Sequence, residues 1–264
     1  MKPNNILIMF AIILVAAISI GCNTLRITGS GNIIRETPEL SDFDSVDLAG
    51  FGDLILTQGE TTELIIEADD QLMPHVNAAV RGNILRLSVG DGFEMIQTTN
   101  AELRFLLTVP DLESIDVSGS GDAEMGPFNL DQFSIDIDGS GDLDVSDMAS
   151  GQLEINIGGS GDVTIADLKA ESINARLGGS GKIVLAGNAD SQAIQIGGSG
   201  NYEAEDLASQ TAEVNISGSG NAELWVEGDL DIRIRGSGDV QYYGLPTVEQ
   251  NVTGSGDIQA GGER

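Results

Sequence analysis

Five aspartates stand at a repeated place in this chain. Asp122, Asp142, Asp162, Asp239 and Asp257 each lie two residues beyond the serine of a Gly-Ser-Gly triplet, and Lys182, Asn201 and Asn221 hold the same place in the other copies. Carboxylate oxygens suit hard cations, so such a row is what a line of Ca2+ sites would need. The other reading is structural: Asp and Asn are good turn residues, and charge keeps a long β-surface soluble. Like charges stacked one strand apart in water repel by roughly 0.9 kcal/mol per neighbouring pair, and Lys182 and the two Asn residues interrupt that column.

The triplet could itself be a ligand loop, since Gly-rich loops often cradle phosphates or ions. Its spacing points to architecture instead. The serines are Ser120, Ser140, Ser160, Ser180, Ser199, Ser219, Ser237 and Ser255, at intervals of 20, 20, 20, 19, 20, 18 and 18 residues. A fixed period of this length marks a solenoid of stacked coils. Around each serine the side chains alternate: Ile135, Ile137, Leu143 and Val145 flank Ser140, and Ile155, Ile157, Val163 and Ile165 flank Ser160, with Asp136, Asn156 and Thr164 between them. That is strand patterning, apolar inward and polar outward. The expectation is an all-β, parallel β-solenoid with two strands per coil, a Gly-Ser-Gly corner and a looser return such as "SDMASGQ" (146–152). Eight coils about 4.8 Å apart make a rod of roughly 35 Å.

Counted from each serine, the apolar positions are odd. Unbroken alternation then turns both glycines inward, where a side chain would collide, and turns the serine and the +2 residue outward. Positive φ in a tight turn is the alternative use of the glycines. The calcium-binding nonapeptide Gly-Gly-x-Gly-x-Asp is similar in letters, but its period is nine and its Asp does not follow Gly directly, so its ligand geometry does not carry over.

Catalytic constellations are scarce. The single His, His75, precedes the regular repeats, so no Ser-His pairing can recur along them. One His and one Cys exclude a Cys/His zinc site. Carbohydrate-active β-helix enzymes work with carboxylate clusters and a basic residue. Arg176, Lys182, Arg233 and Arg235 are the cations available for that, yet the acids are spread over all coils. No enzyme activity and no cofactor are expected. Trp225 and Tyr243 both lie six residues beyond their serine on adjacent coils and point outward by parity. They suit a sugar or partner platform, or an end cap, which a solenoid requires and which irregular "YYGLPTVEQ" (242–250) supports.

The chain has 264 residues, 42 Asp+Glu against 12 Lys+Arg, and a net charge of −30. Nucleic acid is excluded as a partner, because phosphate binding needs clustered Lys and Arg. At the N-terminus, Lys2 precedes an apolar run from Ile6 to Ile20, which is short for a membrane span of about 20 residues and reads as an export signal. The only Cys, Cys22, follows Gly21 at the end of that run. This is similar to a bacterial lipobox, in which the Cys is lipidated and becomes the new N-terminus, although Ser19 stands where the pattern prefers Leu. Signal cleavage near Gly21 with a spare thiol is the alternative. A lone Cys also excludes an internal disulfide.

Residues 25–110 depart from the rhythm. "RITGSGNIIRE" carries the corner at Ser30, and "DSVDLAGFGDLILTQG" (44–59) carries it with Phe51 in place of Ser. A turn or short helical segment is expected around 71–76, and a strand pair turning at Arg81-Gly82-Asn83. The organisation expected is a signal at 1–21, a modified β part at 22–110 with an inserted hairpin, and regular coils at 111–264.

The succession "GSGNIIRET…FDSVDLAGFGDLILTQG", "LIIEADDQLMPHV…VRGNILRLSV", "LLTVPDLESIDVSGSGD" and the recurring Gly-Ser-Gly-Asp resembles the bacterial family described as putative auto-transporter adhesin, head GIN domain. The resemblance covers about residues 27–260. It implies a β-solenoid, export to the cell envelope and frequent lipoprotein status, and it brings no catalytic residues. The expected protein is an outer-membrane-anchored envelope lipoprotein that binds a glycan or a surface protein. A structural envelope protein without a dedicated ligand and a carbohydrate-active enzyme are the alternatives.

Overall fold

The computed structural model describes residues 24–90 and 95–263. The N-terminal strands are β1 (Thr24–Thr28), β2 (Ile33–Glu36), β3 (Ser45–Leu48), β4 (Asp53–Gln58), β5 (Glu63–Asp69), β6 (Val76–Arg81), β7 (Ile84–Val89), β8 (Met95–Thr99) and β9 (Leu103–Val109). The coils follow as β10 (Ser114–Val117), β11 (Ala123–Met125), β12 (Phe128–Ile137), β13 (Leu143–Val145), β14 (Met148–Ile157), β15 (Val163–Leu177), β16 (Lys182–Ile196), β17 (Asn201–Ile216), β18 (Ala222–Ile234), β19 (Val240–Tyr243), β20 (Thr247–Val252) and β21 (Ile258–Gly262).

The molecule is a parallel β-solenoid of about seven turns with coils of about 20 residues. Each coil pairs in register with the next: Ile135 with Ile155, Ile155 with Ala175, Ala175 with Ile194, Ile194 with Val214, and Val214 with Ile232. Those inward ladders are fully buried. With only the inner face covered, the strands alternate apolar and polar residues instead of reading as the continuous apolar runs of a doubly covered parallel sheet.

The return half of the coil is more elaborate than two strands and one loose turn. Two consecutive residues face outward at 146–147 and again at 151–152, and the pattern recurs at 166–167 and 171–172. Each such skip resets the alternation, so a coil has three inward-facing segments rather than two. In the later coils these segments join into single long strands such as β15 to β18, with register shifts at the skips.

The Gly-Ser-Gly corners are set by space. None of their glycines in the regular coils has positive φ. A Cβ at Gly159 would sit 2.0 Å from the carbonyl oxygen of Gly139, and one at Gly161 2.0 Å from that of Gly141 and 3.0 Å from Cγ2 of Ile137. The main obstacle is therefore the backbone of the coil beneath, with the core side chains second. Between the glycines, Ser160 N donates to Gly139 O at 3.0 Å, and its side chain faces solvent.

Stacking order departs from chain order at the N-terminal end. The coil formed by β3 and β4 lies directly against β10 and β11, as Gly-Phe-Gly at 50–52 predicts. β7 and β9 pack on the far side of β3 and β4, although they come later in the chain. Beyond them β6 pairs antiparallel with β7, and β5 antiparallel with both β9 and β2. These antiparallel strands close one end of the stack. The hairpin turn falls at Gly82 and Asn83, both with positive φ (58° and 68°), as a two-residue primed turn requires. The helical element expected near 71–76 is one 3-10 turn, Met73–His75.

Ser30 does not belong to the column of corners. Gly31 has φ +80°, its N–H donates to Asp69, and the Ser30 hydroxyl donates to Asp70. This is a local turn held by two carboxylates beside the antiparallel pair of β2 and β5. Among the described residues no helix is long and apolar enough to cross a membrane.

Candidate functional site: a polar groove along the coils

A long concavity follows the second skip of each coil. It has a volume of about 1320 Å3 and runs past eight successive coils, from Leu112 through Phe133, Leu153, Ile173, Gln192, Ala212 and Leu230 to Val248. With coils about 4.8 Å apart, seven steps make roughly 34 Å. The apolar side chains of this column are almost wholly buried up to Leu230. The surface offered to a ligand is therefore largely the polar residues beside them: Gln132, Gln152, Ser172, Ser191, Thr211 and Thr247 on one side, Ser134, Glu154, Asn174, Glu213, Asp231 and Glu249 on the other. Among the described residues eight carboxylates line the groove, three of which, Glu154, Glu213 and Asp231, are paired with Arg176 or Arg233 at its border.

One residue breaks the apolar column. Gln192 stands where the neighbouring coils carry Ile173 and Ala212, and it is 2% exposed. Its Oε1 accepts a hydrogen bond of 2.5 Å from the hydroxyl of Tyr202, which is itself fully buried in a column of Leu143, Val163 and Ile183. Burial pushes the Tyr202 phenol far up, so it stays a donor. Nε2 of Gln192 is buried without a partner, as is Oδ1 of Asn174 on the coil beneath. Sequence reading did not single out this groove. The signal available was the lone Gln in an otherwise apolar ladder.

The aspartate column has a definite structural task. Oδ1 of Asp122 accepts from the backbone N–H of Asp142 at 2.9 Å, Asp142 from Asp162 at 2.8 Å, and Asp162 from Lys182 at 2.7 Å. Asn201, Asn221 and Asp239 repeat the bond to Asn221, Asp239 and Asp257. Each short side chain thus satisfies a corner N–H of the next coil. Lys182 carries no acceptor, and Asn201 N turns to Gly181 O at 3.3 Å instead. Among the described residues no three His, Cys, Asp or Glu side chains gather as a metal site would require.

Trp225 and Tyr243 are register partners on β18 and β19, both half-buried. Trp225 Nε1 donates to Glu227 at 2.7 Å, and the Tyr243 hydroxyl accepts from Gln241 at 2.6 Å. The Tyr243 ring lies over Gly261, where a Cβ would come within 2.3 Å of it. The terminal strand β21 therefore covers one of the two rings.

The sequence profile of the family described as "Putative auto-transporter adhesin, head GIN domain" matches residues 42–165 and again 134–246. The chain belongs to this family. Solved structures are similar to this head GIN chain over nearly their whole length. One described as a putative lipid binding protein, from Parabacteroides distasonis ATCC 8503, has a TM-score of 0.82 at 26% identity, covering 89% of this chain and 99% of its own. A putative adhesin from Parabacteroides merdae ATCC 43184 has a TM-score of 0.79 at 23% identity, covering 89% and 98%. Another from Bacteroides fragilis NCTC 9343 has a TM-score of 0.67 at 24% identity, covering 89% and 99%. No curated protein matches the sequence.

Three of the four cations named from the sequence are paired locally in this head GIN solenoid. Arg176 bonds Glu154 and Asn156, Arg233 bonds Glu213 and Asp231, and Lys182 lies 3.6 Å from Glu203. The arginine pairs engage Glu154, Glu213 and Asp231, which line the groove. At the other end, Asp47, Asp116 and Asp136 stack in register. Burial, then the charges of Asp47, Asp138 and Asp136, push the Asp116 carboxyl up to about 6, with Arg86 opposing. Cys22 lies outside the described residues.

Proposed function

We propose that this head GIN protein is a non-enzymatic, exported envelope protein that attaches to a surface by holding an extended partner along its groove. The observation that carries the reading is the continuity of that groove. Eight coils in register offer similar polar side chains along one line, which suits a chain-like partner and gives no single reaction centre. Pairing of Arg176 and Arg233 with Glu154, Glu213 and Asp231 speaks against a free carboxylate–base cluster at those positions. Membership of a family described as adhesins supports the same reading. Lipidation at Cys22 would tether the protein to the outer membrane with its rigid rod directed away from it. The lipid-binding description of the Parabacteroides distasonis structure transfers poorly, since the groove is acidic and its apolar column is buried.

The test places bulk in the groove. Thr211 lines it with an exposed side chain, so Thr211→Trp obstructs the path while leaving the ladders intact. Wild-type protein is expected to attach to bacterial or host-cell surface preparations, and Thr211→Trp to lose at least tenfold in affinity. Failure to attach to any surface would favour a structural envelope protein, and attachment indifferent to Thr211→Trp would move the site elsewhere.

A further inference from the structure

We propose that the C-terminal end of the solenoid is a self-association surface, at which β20 of one copy pairs antiparallel with β20 of a second copy about Gln250. Among the described residues β20 pairs with β18 alone and β21 with β19 alone, so the last coil keeps an unpartnered edge. Thr253 N donates to Ile234 O of the coil beneath at 2.8 Å. In a parallel ladder the bonding side alternates from residue to residue, so the N–H and C=O groups of Val248, Gln250 and Val252 point to the open side. Such an edge is a template for another strand.

The core is open at the same place. Strand register sets Val248, Gln250 and Val252 over Leu230, Ile232 and Ile234, which are buried. The last rung is not: Val252 is 42% exposed and Leu245, at the rim, 71%. At the other end Leu64, Ile66 and Leu72 are buried where antiparallel strands close the stack. One end alone therefore offers an uncovered rung, and a patch that meets its own copy closes at two.

The strand complements itself in one register. A two-fold axis through Gln250 sets Val248 opposite Val252 of the second copy on the inward face, and Glu249 opposite Asn251 on the outward face. Centring one residue earlier would set Glu249 against its own copy, a like-charge pair that destabilises. Gln250 stands in the column held by Ile194, Val214 and Ile232 in the coils beneath. A lone polar residue on an apolar seam fixes register, and two facing amides donate to and accept from each other. Charge also favours this end. On a chain of net charge −30, residues 240–257 carry two carboxylates, Glu249 and Asp257, whereas residues 222–239 carry five: Glu223, Glu227, Asp229, Asp231 and Asp239. At the other end β1 and β8 lead directly into β2 and β9. A tether at Cys22 would therefore leave the open end outermost, and pairing there would join copies on facing membranes.

The experiment is sedimentation equilibrium of the mature chain carrying Cys22→Ser, over a range of concentrations. A reversible dimer is expected. Gln250→Pro removes an N–H that β18 does not use, so the ladder beneath stays intact, and dimerisation should weaken at least tenfold. Val252→Lys should do the same, and it decides if Gln250→Pro does not fold. Thr211→Trp should leave the dimer unchanged. Added to Cys22→Ser, Gln250→Cys should oxidise to a linked dimer, because such a pair has Cα atoms about 5.5 Å apart, within disulfide reach; Glu249→Cys should not. A monomer at every concentration overturns the proposal, as does a dimer indifferent to both Gln250→Pro and Val252→Lys. Cross-linking through Glu249→Cys instead of Gln250→Cys overturns the register. Vesicles carrying the protein by its N-terminus should clump, and Gln250→Pro should prevent it; a dimer in solution without clumping overturns the facing-membrane geometry.

Discussion

Asp122 and Asp142 are joined across two coils: Oδ1 of the first accepts the backbone N–H of the second at 2.9 Å, 20 residues along the chain. The bond repeats up the corner with aspartate or asparagine as acceptor. The column therefore closes the hydrogen bonding of the corner, and the residue type follows from reach and acceptor capacity rather than from charge.

That relationship separates two substitutions of one residue. Asp142→Asn keeps the acceptor and removes a like-charge neighbour, so it should leave the melting temperature unchanged or slightly higher. Asp142→Ala removes the acceptor for Asp162 N and should cost about 1 kcal/mol, read by denaturant titration. Chelation of divalent cations should move the melting temperature by no more than a few degrees; a large drop would restore the calcium reading of Asp122, Asp142, Asp162, Asp239 and Asp257.

The corner glycines make a sharper case. Gly161→Ala would press a methyl group to within 2.0 Å of the Gly141 carbonyl oxygen. Separating the coils there breaks ladder bonds on both sides, so a loss of about 3 kcal/mol or more is expected, of the order of an overpacked core. Ser160→Ala, between the same glycines, should stay within about 0.5 kcal/mol, as surface changes usually do. Nothing in the packing explains why the residue there is serine.

Asp116 gives the stability a pH signature. Its carboxyl is raised to about 6 from an ordinary 3.8, so between those values the folded protein holds a proton that the unfolded chain has released. The destabilisation is full above pH 6 and fades as pH falls toward 3.8. Asp116→Asn should therefore raise the melting temperature by a few degrees at pH 7.5, where the carboxylate stands ionised beside Asp47, Asp136 and Asp138 with one oxygen buried and unpartnered. The gain should shrink toward zero near pH 4. A gain independent of pH would locate the effect elsewhere.

The aromatic pair separates support of the end from binding. Tyr243→Ala takes the ring away from Gly261 and should loosen β21, read as faster amide exchange over 258–262. Trp225→Ala, whose indole bonds only exposed Glu227 in the hydrogen-bond pattern, should disturb the fold less. Loss of surface binding in the double variant, with Thr211 intact, would make these rings a second contact face.

Sequence alone determined the coil: a 20-residue period, odd-numbered apolar positions and small corners leave the chain one way to bury its Ile, Val and Leu residues. The hairpin at Gly82 and Asn83 was legible for the same reason, because a turn is a local event. Three matters depended on the tertiary structure. Whether the glycines served positive φ or close approach was decided by the carbonyl of the coil beneath, a neighbour 20 residues away in the chain. The place of β7 and β9 on the far side of β3 and β4 was decided by strand pairing at the closed end, since a regular period carries no instruction for segments that leave it. The groove arises where each coil skips a beat in its alternation. One coil's skip is a trivial irregularity, and only stacking turns eight of them into a channel.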